Sequence, residues 1–182
     1  MAAMVPIGQA WAEEIDSDWN PTVDQTTDTL TITPTGTVTS SANYTYGGKP
    51  ISEYSNIVIN YVAKGPGDRP IGVYSERFDW GNANVTVHVT GKYDNNDALH
   101  FTNFSPYFTA NNLVIQQEAK DSDAINLSRD IQGGANITLD CNLEAVVSDG
   151  NGIRANASIA QGEYQTVINV NKDTTIKLKT DV

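Results

Sequence analysis

Few side chains in this sequence could carry out chemistry, and they are widely spaced. The 182-residue chain has two histidines, His88 and His100, and one cysteine, Cys141. A zinc site needs several histidine, cysteine or carboxylate side chains that converge on one point. The chain contains neither a nucleophile-elbow motif nor a glycine-rich phosphate loop ahead of a helix. We therefore predict that the protein is not an enzyme and holds no metal and no cofactor.

Oxygen-rich loops leave calcium open as an alternative. Asp94–Asp97 and Asp121–Asp123 are runs of aspartate, asparagine and serine, and calcium is bound by about six to eight oxygen ligands. Neither run matches the EF-hand pattern, and the same residue types commonly form turns.

Aromatic residues cluster in two places and predict a carbohydrate-binding site. The clusters are Phe78–Trp80 and Phe101–Phe108. Aromatic rings can stack on sugars, and neighbouring asparagine and aspartate side chains can bind the hydroxyl groups. The candidate ligand-binding residues are Trp80, Phe104 and Tyr107. The alternative is that these rings fill the core or its ends.

Asn-x-Ser/Thr sequons suggest possible glycosylation of a secreted protein. They occur at Asn43, Asn84, Asn103, Asn126, Asn136 and Asn156.

The charge of the chain excludes several partners. The formal net charge is −11 at pH 7, whereas a nucleic-acid surface needs clustered basic residues. An anionic membrane would repel such a chain, and no segment is long and apolar enough to be inserted into one. We expect neither nucleic acid nor membrane insertion.

The elements that must position any site are β-strands. Apolar and polar residues alternate over 136–145, as expected for a strand with one dry face and one wet face. Similar segments lie near 29–33, 42–46, 56–63, 71–74, 84–93, 100–104, 112–119, 153–160, 164–171 and 175–179. The Asp-Gly and Asn-Gly pairs of 148–152 favour a tight hairpin between antiparallel strands. No internal repeat and no linker is evident, so we predict an antiparallel, immunoglobulin-like Greek-key β-sandwich over 29–182.

The N-terminal region predicts export and assembly. Met1–Ala12 is apolar and ends in Ala-Trp-Ala, which indicates the remnant of a signal peptide or, alternatively, a disordered N-terminus. In the extension 13–28, the apolar residues Ile15, Trp19 and Val23 alternate with polar ones. Such a segment could complete the sheet of a neighbouring subunit as a donor strand.

Two stretches resemble bacterial fimbrial subunits. The Gly162-Glu163-Tyr164 segment within 160–170 is similar to the Gly-x-Tyr motif that opens the last core strand of many such proteins. Trp19–Thr37 looks like the mature N-terminal region of common-pilus-type major pilins. The resemblance implies a cell-surface filament subunit polymerised by donor-strand exchange, with copies of itself, a periplasmic chaperone and an outer-membrane usher as partners. Fimbrial subunits of this kind usually end soon after that last core strand, whereas here residues 175–179 could form one more.

Three hypotheses for function follow. The first is a structural subunit of an extracellular filament, a homopolymer with a possible adhesive role. The second is a secreted carbohydrate-binding or adhesin module that recognises host or cell-surface glycans. The third is a structural protein of a phage virion. The first two predict a secreted, extracellular location.

Overall fold

The computed structural model describes residues 13–15, 17–39, 44–73, 77–101, 107–127, 136–155, 167–170 and 172–178. Within these ranges the chain is mostly β-structure, with short 3₁₀ helices at Ser17–Trp19 and Ile51–Glu53. The strands, in chain order, are β1 (Glu13–Glu14), β2 (Thr22–Asp24), β3 (Thr29–Ile32), β4 (Val38–Thr39), β5 (Tyr44–Tyr46), β6 (Lys49–Pro50), β7 (Asn56–Val62), β8 (Ile71–Val73), β9 (Arg77–Asp79), β10 (Asn84–Thr90), β11 (Leu99–Phe101), β12 (Tyr107–Gln117), β13 (Ile125–Leu127), β14 (Asn136–Val147), β15 (Ile153–Ala155), β16 (Val167–Val170) and β17 (Thr174–Leu178).

Three parallel faces form a β-solenoid of about 4 turns. The first face stacks β3, β7, β10, the second halves of β12 and β14, and β17. The second face stacks β4, β8, β11, β13 and β15. The third face stacks β9, β16 and the first halves of β12 and β14. Among the described strands, all pairings between successive turns are parallel, because each turn crosses the other faces before it returns.

One asparagine recurs at the same position of the first face in each of four successive turns. Asn56 pairs with Asn84, Asn84 with Asn112, and Asn112 with Asn142. The corresponding sequence separations are 28, 28 and 30 residues. Neighbouring strands lie about 4.8 Å apart, so equivalent residues of successive turns stack in straight columns.

Two columns of the first face point inward and form a dry core. The first contains Leu30, Ile57, Val85, Leu113 and Leu143, and the second contains Ile32, Ile59, Val87, Ile115 and Ala145. No side chain of either column is more than 2% exposed. Because alternate residues of a strand point to opposite sides, the residues between them form outer columns. One outer column contains Val58, Thr86, Val114 and Glu144.

Residues 13–24 cover the N-terminal end of the stack. β1 pairs with β5, and β2 pairs antiparallel with β3. Ile15 and Trp19 are buried in the common core. The Trp19 ring meets the Tyr44 ring edge-on, with the ring centroids 5.0 Å apart. This short, antiparallel β2 ends the sheet with only three residues, which is one way in which proteins blunt a sheet edge.

The prediction of strands is confirmed, and the prediction of an antiparallel immunoglobulin-like sandwich is wrong. Each predicted strand with described residues has a counterpart in the solenoid. Alternation with a period of two residues requires one buried face but does not specify the direction of the neighbouring strand. A sandwich and a three-faced solenoid therefore produce the same local pattern.

The predicted hairpin at 148–152 is also wrong. β14 and β15 lie on different faces, so this segment is a corner of the solenoid. Gly150 has φ +143°, and a Cβ atom there would lie 2.0 Å from the carbonyl oxygen of Ser122 in the preceding turn. The glycine is required by this close approach between turns.

Candidate functional site

A ladder of asparagine side chains runs along one edge of the first face. Asn84 Nδ2 donates to Asn56 Oδ1 at 3.3 Å, Asn112 Nδ2 to Asn84 Oδ1 at 2.6 Å, and Asn142 Nδ2 to Asn112 Oδ1 at 2.9 Å. The ladder forms because each asparagine occupies the same position of the first face and stands directly over the previous one. We call Asn56, Asn84, Asn112 and Asn142 the asparagine ladder.

The direction of the ladder is determined by its first member. Asn56 Nδ2 donates to the backbone carbonyl of Thr27 at 3.1 Å. A carbonyl only accepts hydrogen bonds, so the NH₂ group of Asn56 must face it and its Oδ1 must face the next turn. The same orientation passes from turn to turn. The carbonyl end of the ladder is therefore at Asn142.

Hydrogen-bonding capacity remains at that end of the ladder. Asn84 Oδ1 is saturated, because it accepts from both Asn111 and Asn112. Asn112 uses one of its two N–H groups and one lone pair within the ladder. Asn142 Oδ1 accepts no hydrogen bond from the described residues. Among the described residues, one N–H group of Asn112 and the Oδ1 atom of Asn142 therefore remain available to a ligand.

A groove lies over these amides. Its volume is about 380 Å³. The lining residues are Asn84, Asn112, Leu113, Val114, Asn142, Leu143, Glu144 and Asp173. With Asp173 of the next turn, the lining spans four stacked turns, so the groove is about 14 Å long at the usual strand spacing. The lining combines the amide groups of the ladder, the apolar side chain of Val114 and the carboxylates of Glu144 and Asp173.

Of the aromatic residues predicted to bind sugar, Trp80 does not line this groove. Trp80 is buried, and its ring packs edge-on against Phe108 with the ring centroids 5.5 Å apart. Phe104 lies outside the described residues. Tyr107 begins β12, and its side chain is not described. The alternative explanation, that the rings fill the core, agrees with the position of Trp80.

The predicted donor-strand residues lie at the capped end of the solenoid, away from the groove. Ile15 and Trp19 pack in the core of their own chain, and Val23 on β2 is 36% exposed. In this conformation the two larger side chains are not accessible to a neighbouring subunit.

The sequons lie in different environments. Asn84 is exposed but belongs to the asparagine ladder, and Asn126 is 8% exposed. Asn136 begins β14, where its side chain is not described. Asn43, Asn103 and Asn156 lie outside the described residues.

The histidines and the cysteine do not come together. His88 Nε2 lies 3.6 Å from a carboxylate oxygen of Glu118, and His100 Nδ1 lies 3.7 Å from one of Asp97. These side chains are on the first and second faces, respectively. Cys141 is buried, and burial raises the pKa of its thiol to about 11. A thiol with this pKa is almost entirely protonated at neutral pH.

The aspartates of the candidate calcium loops connect successive turns. Asp97 Oδ1 accepts from the backbone N–H of Asp123 at 3.0 Å, and Asp123 Oδ1 accepts from that of Asn151 at 2.9 Å. Within the described part of the chain there is no group of three or more histidine, cysteine, aspartate or glutamate residues placed to hold a metal ion. The role seen for these two buried carboxylates is to bind the next turn.

The sequence contains a signal for the ladder, although no internal repeat is evident from the residue identities. An asparagine followed by alternating apolar residues recurs in the segments 56–62, 84–90, 112–117 and 142–147. The asparagine and the alternating pattern recur in each segment, whereas the other residues differ from one segment to the next. A comparison of strand starts at a spacing of 28 to 30 residues would have predicted a solenoid.

The protein is a parallel β-solenoid with a polar groove on its outer surface. No family model, no curated protein and no solved structure matches the chain. Among the helices of the described residues, none has the length and hydrophobicity needed to cross a membrane.

Proposed function

We propose that this protein is a binding module for a polysaccharide, which it holds in the groove over the end of the asparagine ladder. The observation that carries the proposal is the unused hydrogen-bonding capacity of Asn112 and Asn142 beside the apolar surface of Val114. Ligand sites usually combine apolar surface with a few placed polar groups. A sugar has the same two features, hydroxyl groups around its rim and C–H groups on its faces.

The size of the groove supports a short stretch of a polymer. Its volume of about 380 Å³ is near the lower end of the range for small-molecule sites. A length of about 14 Å corresponds to roughly three sugar units. The open surface of a solenoid allows the rest of the polymer to continue past the groove, as extended ligands do in other repeat proteins.

The charge of the protein disfavours an acidic polysaccharide. Glu144 and Asp173 line the groove, and the whole chain has a net charge of −11. Both features repel a polyuronate. We therefore expect neutral or basic polysaccharides to bind and acidic ones to bind much more weakly.

Affinity electrophoresis tests the proposal. The native protein is run through gels that contain a neutral β-1,4-glucan, a neutral β-1,3-glucan, a galactomannan or polygalacturonate. We expect retardation by at least one neutral polymer and none by polygalacturonate. The proposal is wrong if no neutral polymer retards the protein and no basic polysaccharide binds to it.

A matched pair of variants locates the binding site. Val114→Gln places a longer side chain in the groove, whereas Val58→Gln makes the same substitution two turns away in the same outer column, in a turn that does not line the groove. Both positions are half-buried on the outer surface. We expect Val114→Gln to weaken binding about tenfold, which is the effect of losing about 1.4 kcal/mol, and Val58→Gln to leave it unchanged. Equal effects of the two variants would place the site elsewhere.

A further inference from the structure

The chemistry of the ladder column changes at its last position. Leu143 pairs with Thr174, and the N–H of Leu143 donates to the carbonyl of Asp173 at 2.9 Å. Asp173 therefore follows Asn142 in the column, one turn further along. Three successive asparagine-to-asparagine steps are followed by a step from an amide to a carboxylate.

This last step places two acceptors next to each other in the column, with no donor between them among the described residues. Asn142 directs its NH₂ group towards Asn112, so its Oδ1, on the other side of the planar amide, faces the turn of Asp173. An ionised carboxylate only accepts hydrogen bonds. No described residue donates to Asn142 Oδ1 or to the Asp173 carboxylate. Both residues line the groove.

We propose that this end of the groove binds the protonated primary amine of an amino sugar. The ammonium group lies between Asn142 Oδ1 and the carboxylate of Asp173 and donates to both. This inference rests on the proposed function and names the class of sugar. An ammonium group carries three donors and a positive charge. It can therefore donate to Asn142 Oδ1 and balance the charge of the Asp173 carboxylate.

The ladder itself strengthens the acceptor at Asn142. In a chain of hydrogen bonds that all point the same way, each bond polarises the next. The chain from the Thr27 carbonyl through four amides places its negative end at Asn142 Oδ1. Hydrogen bonds between charged partners are also roughly twice as strong as neutral ones, so a hydroxyl group would be held more weakly than an ammonium group.

Isothermal titration calorimetry with three probes tests the inference. The probes are the β-1,4-linked trisaccharides of glucosamine, of N-acetylglucosamine and of glucose, which share a backbone and differ in the group at C2. We expect the glucosamine trisaccharide to bind about tenfold more tightly than the other two, because only its amine forms charge-assisted hydrogen bonds.

Asp173→Asn is the informative variant, because an amide at this position would extend the ladder. Its NH₂ group would donate to Asn142 Oδ1, so we expect the melting temperature to rise by about 2–4 °C. The carboxylate would be lost at the same time, and the preference for glucosamine should disappear. Asp149→Asn is the matched control, since it removes one exposed carboxylate at the corner after β14 and outside the groove lining. We expect this control to keep the preference.

The outcomes separate the two proposals. Equal binding of all three trisaccharides would overturn the amine site and leave the polysaccharide-binding function in place. Equal losses in Asp173→Asn and Asp149→Asn would show that the glucosamine probe responds only to the overall negative charge, which also overturns the amine site. If no trisaccharide binds while a neutral polymer retards the protein, the amine site alone is wrong. If neither binds, both proposals are wrong.

Discussion

Removal of Asn112 should weaken the solenoid by an amount that the ladder geometry predicts. Asn112 donates to Asn84 at 2.6 Å and accepts from Asn142 at 2.9 Å, so Asn112→Ala breaks the contacts with both neighbouring turns. A hydrogen bond contributes about 0.5–1.5 kcal/mol net. Because the side chain is half-buried, we expect a loss near the lower end for each bond, about 1–2 kcal/mol in total. The melting temperature should fall by about 2–8 °C.

Gln116→Ala is the matched control for this variant. Gln116 is an amide on the same strand and the same outer surface, is exposed, and makes no side-chain hydrogen bond to the described residues. Its replacement should change stability by less than about 0.5 kcal/mol. Urea-induced unfolding followed by circular dichroism measures both, and an unchanged m-value shows that the same surface unfolds. If the two variants differ by less than about 0.3 kcal/mol, the ladder does not stabilise the protein and the reasoning is refuted.

Three further outcomes are expected. Leu113→Ala should cost about 2–5 kcal/mol in the same urea assay, because Leu113 is fully buried between two rigidly spaced turns; a cost below about 1 kcal/mol would contradict the inward column. Hydrogen bonds from Lys49 and Ser55 lower the pKa of Asp28 from 3.8 to about 2, so the ionised carboxylate stabilises the fold above about pH 4 and the effect is lost as the pH falls towards 2. Asp28→Asn should therefore flatten this part of the plot of melting temperature against pH. An unchanged slope would contradict the stabilising role of the ionised carboxylate. Cys141, with its raised pKa and burial, should react with a disulfide reagent at pH 8 only after denaturant is added, and rapid reaction of the native protein would contradict its position.

The local sequence determined the strands and the side that each strand buries. The alternation at 136–145 correctly placed Leu139, Cys141 and Leu143 in the core, while Thr138 and Asn142 are half-buried on the other side. This success has a local cause, because successive side chains of a strand point in opposite directions whatever the strand pairs with. Turn residues likewise marked where strands end.

The location of the N-terminal segment could not be read from its own residues. Alternation around Ile15 and Trp19 predicts an apolar edge that must be covered. Whether a neighbouring subunit or the same chain covers it depends on which apolar surface is closest after folding. In the solenoid, Trp19 lies against Tyr44 and the first turn, and these contacts join residues that are distant in sequence.

Tertiary structure alone decided the direction of strand pairing, and with it the candidate site. The asparagines at 56, 84, 112 and 142 are visible in the sequence, but they become a ladder only when parallel turns place them one above another. In an antiparallel sandwich the same residues would have other neighbours. The groove depends on this stacking, because its lining comes from residues 84–173 of the chain. A local pattern specifies which side of a strand is dry, whereas the partner of each strand depends on how the whole chain closes around one core.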